Sequence, residues 1–330
     1  MKYFIPIFTK EQDSFIRKSY FGGGVHVFKS FAKKVYHYDI NSLYPFVMLK
    51  AMPFELIKIF IPDTKFRLND NFFGFCKVEI TISSNCKLIL LPQRINDKVV
   101  YQSGTFVGIY FSEELKLYSR NSYYKIKFLE LYEFNKFYPF KEFVDTFYNI
   151  KVNSKGVERF ISKGLLNNLY GFFGRKYDIL ETISINNEHL ESYLRDFNIK
   201  HIETKDNYST ITYISDSNYH IKANVAISSA ITSYARIHMH PFLLLNSTLY
   251  SDTDSLFSSK PLPSKYIGKE IGLFKDELKG KTIQKVIFLG PKRYGYWFYD
   301  ENNNRIEKSV YAGVERDSLT FNQIKKLYKK

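Results

Sequence analysis

The chain has 330 residues with 48 Lys and Arg against 33 Asp and Glu, a formal charge of +15, and is 45% apolar and 18% aromatic. That length buries the cores of two or three subdomains, and that charge suits a polyanionic partner held by salt-sensitive contacts. No stretch reaches the roughly 18 consecutive apolar residues of a membrane span, Met1 to Asp13 has no continuous apolar leader, and Cys76 and Cys86 form no CxxC pattern, which excludes a zinc cluster or a disulfide framework and fits a reducing compartment.

In chain order, Tyr20-Phe21-Gly22-Gly23 comes first, with glycines that let backbone approach a ligand closely. Val35-Tyr36-His37-Tyr38 predicts a strand with Asp39 at its end, and Ser42 stands where a helix begins. From Ile57 to Tyr138, β-like runs at Gly74 to Ile82 and Leu88 to Leu91 mix with an apolar-periodic piece from Glu113 to Tyr118. Phe140, Phe143, Val144, Phe147 and Ile150 then mark a helical stripe over Pro139 to Lys151, and Asn153-Ser154-Lys155-Gly156 reverses the chain. The next helix carries Lys163, Asn167, Tyr170 and Gly171 on one face. Tyr177 to Ile221 is polar and reads as an exposed hairpin or loop. Thr248-Leu249-Tyr250 and Leu256-Phe257 flank Asp252-Thr253-Asp254, which reads as the tip of a β-hairpin. No internal repeat is visible.

Two carboxylates at i and i+2 on a hairpin tip, with a third at a strand end, are what divalent metal needs. Mg²⁺ takes oxygen ligands and is satisfied by one or two protein carboxylates plus substrate phosphates. Two such ions about 4 Å apart activate a hydroxyl and stabilise a leaving pyrophosphate. Taken alone, Asp-Thr-Asp is also an ordinary turn, and Asp39 to Pro45 an ordinary helix start.

The segments Tyr38-Asp39-Ile40-Asn41-Ser42-Leu43-Tyr44-Pro45, Lys163-Gly164-Leu165-Leu166-Asn167-Asn168-Leu169-Tyr170-Gly171 and Tyr250-Ser251-Asp252-Thr253-Asp254-Ser255 resemble, in order and character, motifs A, B and C of family B DNA polymerases. The resemblance implies an α+β, right-hand polymerase fold: a palm of antiparallel sheet with helices, helical-hairpin fingers and a partial thumb. It implies Asp39 and Asp254 as ligands of two Mg²⁺ ions with Asp252 supporting, and Lys163, Asn167, Tyr170, Lys151 and Arg159 around the incoming nucleotide. Tyr44 is then the ring that excludes a ribose 2′-hydroxyl. Tyr20, Gly22, Gly23, Thr232, Arg236, Lys292 and Tyr294 fall in elements resembling the YxGG, primer-template and KxY contacts to DNA. Asn168 and Phe172 depart from the family's usual Ser and Lys. Thr253 between the aspartates separates the chain from reverse transcriptases, where they are adjacent.

The expected organisation is an opening segment 1–38, palm 39–56, an insertion 57–138, fingers 139–172, a second insertion 173–222, palm 223–290, and the KxY element with the start of a thumb at 291–330. The first insertion resembles the terminal-protein-binding region of the protein-primed subgroup, found in linear phages and linear mitochondrial plasmids. The resemblance therefore implies primer-template DNA, deoxynucleotides and a terminal protein as partners, while the lack of a long apolar run predicts no membrane. With Asn, Ile, Phe and Tyr abundant, the composition looks AT-rich, which points to a mitochondrial plasmid or insert, or else to the cytoplasm of a host carrying a mobile element. The short flanks about the motifs leave a second expectation, a truncated or degenerate remnant that binds DNA or a terminal protein without efficient synthesis.

Overall fold

The structure, a computed structural model, describes residues 5–176, 180–215 and 223–329. Its organising element is the strand Phe31–Ile40, longer than the Val35 to Tyr38 run that announces it. Successive side chains of a strand point to opposite faces, so Tyr38 and Ile40 enter one core while Val35 enters another. Ser255–Ser258 pairs with this strand on one side, and Phe274–Asp276 and Ile283–Gly290 pair on the other, all antiparallel. The full eight-stranded sheet runs Val25–Val27, Thr248–Asp252, Ser255–Ser258, Phe31–Ile40, Ile283–Gly290, Arg293–Tyr299 and Arg305–Tyr311, with Phe274–Asp276 as the branch. The two strands beyond residue 290, expected outside the palm, thus continue its sheet.

The helix Val225–Leu243 belongs to the larger core. Its small residues Ala226, Ser228, Ser229, Ala230 and Ser233 are all buried, and they let it lie close beside the helix Leu43–Met48 and the segment Ile16 to Ser19. A second antiparallel sheet, ordered Met52–Phe60, Tyr124–Phe137, Gly74–Ile82, Gly104–Phe111, is joined by the helix Ser112–Ser119 around Cys76, Val78, Ile80, Leu115 and Leu131. Its first strand starts at Met52, ahead of the boundary expected at residue 57. Leu88 to Leu91 is irregular backbone rather than the expected strand. Leu90 and Leu91 are buried there as apolar plugs, and Pro92 follows without an amide to donate to a ladder.

The helices Lys141–Asn153 and Gly156–Phe173 form the expected hairpin. Gly156 takes φ 60° at the start of the second helix, a conformation that glycine adopts without strain. The polar stretch beyond is richer than a hairpin: Leu180–Asn186, Asn198–Thr204 and Tyr208–Ile214 make a three-stranded sheet over a small core of Ile185, Ile211 and Tyr213. Residues 177–179 and 216–222 of the expected insertion lie outside the described residues. Among the described residues no helix is long and apolar enough to cross a membrane.

Candidate active site

Asp39 lies opposite Ser255 on one neighbouring strand and Lys275 on the other. The Ile40 amide donates to the Asp254 carbonyl at 2.9 Å, so Asp254, in the turn just before the neighbouring strand, stands beside the end of the strand that carries Asp39. The turn that presents Asp254 is tight. Its amide donates to the Asp252 carbonyl at 2.7 Å, and Thr253 sits at φ 59°, where a β-branched residue is seldom found. The Thr253 amide donates to Gly24 O at 2.9 Å, and a Cβ on Gly23 would lie 2.5 Å from Thr253 Oγ1, so the Tyr20 to Gly24 segment is the support on which this turn rests.

Burial, then the negative charge of Asp254 and of Glu277, pushes the Asp39 carboxyl up to about 7, while Lys275 and Lys163 oppose the rise. Asp254 is also raised, by burial first and with Asp252 adding to it, against Lys292 and Lys163. Two half-buried carboxylates whose proton affinities are both raised, that of Asp39 partly by Asp254, are a hard oxygen donor pair short of positive charge, and this fits Mg²⁺, which needs no more than two protein carboxylates. Among the described residues no group of three or more His, Cys, Asp or Glu gathers to hold a metal ion. The expected third member explains why: both oxygens of Asp252 face Lys292 Nζ at 2.7 Å each, so this carboxylate is turned to an ammonium and does not join Asp39 and Asp254.

Cations come from the helical hairpin. Lys163 is exposed on the second helix and bears electrostatically on both Asp39 and Asp254. Lys151 donates to Ser42 Oγ at 2.6 Å, and its own pKa is lowered by burial and then by Lys163 and Arg159. Arg159 donates to the Lys151 carbonyl at 2.9 Å. Ser42, read as a helix cap, makes no capping hydrogen bond; it adopts φ 53° and turns its hydroxyl to Lys151. Tyr44 and Tyr170 meet with ring centroids 4.3 Å apart, and Tyr170 in turn raises the pKa of Tyr20, after burial. Asn167 is exposed on the same helix as Lys163.

The expected DNA contacts divide. Gly22 is exposed, Lys292 stands at a hairpin tip, and Tyr294 is half-buried against Tyr250 and Phe257, its hydroxyl pushed up to about 12 mainly by burial. Thr232 and Arg236 are corrections. Thr232 is fully buried and its hydroxyl donates to the Ser229 carbonyl. Arg236 spends Nε and one Nη2 hydrogen on Glu114 at 2.6 Å each, another on Ser233 Oγ, and both Nη1 hydrogens on the Phe21 and Gly22 carbonyls. With five donors in all, the guanidinium has none left for a phosphate. Glu114 was invisible to sequence reasoning because Glu113-Glu114 reads as a solvated first turn of a helix; Lys275 and Ser42 lacked any signal beyond their neighbours.

The family model described as DNA polymerase type B, organellar and viral, matches residues 1–247. Among relatives, the "Probable DNA polymerase" of Podospora anserina is 33% identical over 353 aligned positions, covering 95% of this chain and 29% of the relative. That of Neurospora intermedia is 33% identical, covering 97% and 35%. The chain thus spans about a third of the length of these curated relatives. Among solved structures, Phi29 DNA polymerase complexed with primer-template DNA and incoming nucleotide superposes with a TM-score of 0.75 at 18% identity, over 96% of this chain and 58% of that one, which shows a shared fold. With motifs, sheet order and family match in agreement, the chain belongs to the organellar and viral type B DNA polymerases.

Proposed function

We propose that the chain is the polymerising region of a DNA-directed DNA polymerase that adds deoxynucleotides to a primer 3′-hydroxyl. The observation that carries this reading is the pairing of Asp39, near the end of its strand, with Asp254 in the adjoining hairpin turn, both within the electrostatic reach of Lys163 from the helical hairpin. Asp39 and Asp254 would hold Mg²⁺. Bound there, Mg²⁺ supplies the positive charge that acidifies the primer hydroxyl and stabilises the leaving pyrophosphate. Lys163, with Lys151 and Arg159 nearer the tip of the hairpin, would hold the bound triphosphate and neutralise the pyrophosphate as it leaves. Tyr44, its ring tilted against that of Tyr170 at 4.3 Å, would lie under the sugar and leave a 2′-hydroxyl no room, and Asn167 and Tyr20 would border the nascent pair. Gly22 and Gly23 face the template, and Lys292 and Tyr294 the primer end.

Protein priming is part of the proposal, with the sheet of residues 52–137 as the surface for a terminal protein, since it is a sheet separate from that of Asp39 and has a core of its own besides the residues it adds to the larger core. A mitochondrial or mobile-element origin is proposed on the composition and on the organellar and viral family. The test is Mg²⁺-dependent primer extension by the chain as it stands. Asp254→Asn should abolish extension and leave primer-template binding in place; equal loss of both would assign Asp254 to folding and reject the catalytic role.

A further inference from the structure

We infer that Asp252 is a positioning residue that aims Lys292 at the primer end, and that it is not a metal ligand. The inference rests on the polymerase reading above, but it concerns a contact that this reading does not require. Asp252 ends the strand Thr248–Asp252, and Lys292 occupies the tip between Ile283–Gly290 and Arg293–Tyr299. These strands are not neighbours in the sheet; the central strand and Ser255–Ser258 lie between them. Two side chains of the first strand, Asp252 and Tyr250, nevertheless tie it to that tip. Lys292 Nζ donates to Asp252 Oδ1 and Oδ2 at 2.7 Å each. The Lys292 amide donates to Tyr250 Oη at 3.0 Å, and the Ala312 amide donates to the Lys292 carbonyl at 3.0 Å.

Lys292 itself is held at φ 55°, a left-handed conformation that costs a lysine energy unless its surroundings impose it. Tyr250 imposes it: the ring is fully buried, stacked on Phe288 at 4.7 Å, and packed on Tyr294 at 5.2 Å. One strand therefore fixes the backbone of the tip through Tyr250 and the side chain of the tip through Asp252. A lysine ammonium has three donors on a flexible stem. With two spent on Asp252, the third remains, and the Lys292 side chain is 54% exposed where that of Asp252 is 17% exposed. The free donor is thus held at a defined point on the solvent side, where a phosphate oxygen of the primer can take it without the entropy loss of ordering the stem. Thr253 Oγ1 also donates to Asp252 Oδ1 at 3.2 Å, which further occupies the lone pairs that a metal ion would need.

Because the carboxylate cancels the charge of Lys292, the pair adds little to general attraction for DNA, and its effect belongs to the placement of the primer terminus. The test uses the full chain with a primer carrying 2-aminopurine at its 3′ end. Terminal-base fluorescence is read in EDTA, and the Mg²⁺ dependence of extension is read separately. Asp252→Asn and Lys292→Met should each change the metal-free fluorescence to a similar degree, and the double variant should change it no further, as expected for two residues acting as one unit. The Mg²⁺ concentration for half-maximal extension should stay within about twofold of wild type in Asp252→Asn, since losing even an outer partner that orients a metal ligand shifts metal affinity about tenfold or more, and losing a ligand shifts it at least as far. Lys292→Arg, which keeps the ion pair, should retain the wild-type fluorescence, and this guards against a misfolded methionine variant. Unchanged metal-free fluorescence in Asp252→Asn, or a tenfold higher Mg²⁺ requirement, overturns the inference. A wild-type chain that binds primer-template without extending it refutes the polymerase reading, while the metal-free fluorescence still decides the coupling of Asp252 to Lys292.

Discussion

Glu114→Gln tests whether the support under the Asp252 to Asp254 turn is electrostatic. The Glu114 side chain is 2% exposed and that of Arg236 8%, and the five guanidinium hydrogens are shared among Glu114, Ser233 and the carbonyls of Phe21 and Gly22. Removing the charge of Glu114 leaves a buried guanidinium without its counter-ion, and breaking such a pair costs about 3–5 kcal/mol. The glutamine oxygen can still accept one of the lost hydrogen bonds, so a loss of about 3 kcal/mol is expected. Arg236→Met should cost as much or more, because it strands a buried carboxylate and leaves the Phe21 and Gly22 carbonyls short of a donor. The double variant should cost less than the sum of the singles by at least about 1–2 kcal/mol. Urea denaturation followed by circular dichroism gives all three values. A loss under about 1 kcal/mol in Glu114→Gln, or additivity of the two changes, would refute the reasoning.

The remaining predictions concern the site. An Asp39 carboxyl held at about 7 in the folded chain, against about 3.9 when unfolded, keeps a proton that favours folding. That contribution is complete below about pH 4 and is lost as pH rises through 7; in EDTA, thermal stability should fall from pH 5.5 to 8, with a shallower fall in Asp39→Asn, and an equal slope in both would remove Asp39 as the cause. Tyr44→Val should raise ribonucleotide incorporation about tenfold or more relative to deoxynucleotides; competition between the two nucleotides in single-turnover extension measures it, and an unchanged ratio rejects the steric role. Gly23→Ala would place a Cβ 2.5–2.9 Å from Oγ1, Cγ2 and Cβ of Thr253 and should cut extension strongly. Thr253→Gly in the same chain removes all three atoms and should restore much of it; failure to restore would mean that Gly23 acts on something other than the turn.

The central strand, the helical hairpin and the aspartate turn were all legible, because each rests on local signals: alternation at Val35 to Tyr38, a helical stripe from Phe140 to Ile150, and polar turn residues between apolar runs. What stayed hidden depends on partners distant in sequence. Nothing near Arg236 says that Glu114 will bury with it, so a basic residue in a chain of charge +15 reads as a DNA contact. Asp252 was read by its spacing to Asp254, whereas its orientation is decided by Lys292, forty residues further on. Leu88 to Leu91 has a strand's composition without a strand's neighbour, and burial alone accounts for its apolar residues.

The sheet order also dictates a schedule for synthesis on the ribosome. The first hydrogen-bonded neighbour of Phe31–Ile40, Ser255–Ser258, is made more than two hundred residues after it. At about 5–20 residues per second, the strand waits for tens of seconds with both edges open to any other extended chain. Lys33 and Lys34 in its middle are the kind of residue that discourages such pairing. Replacing them with apolar residues would be felt first as aggregation of the newborn chain, before any effect on the finished site.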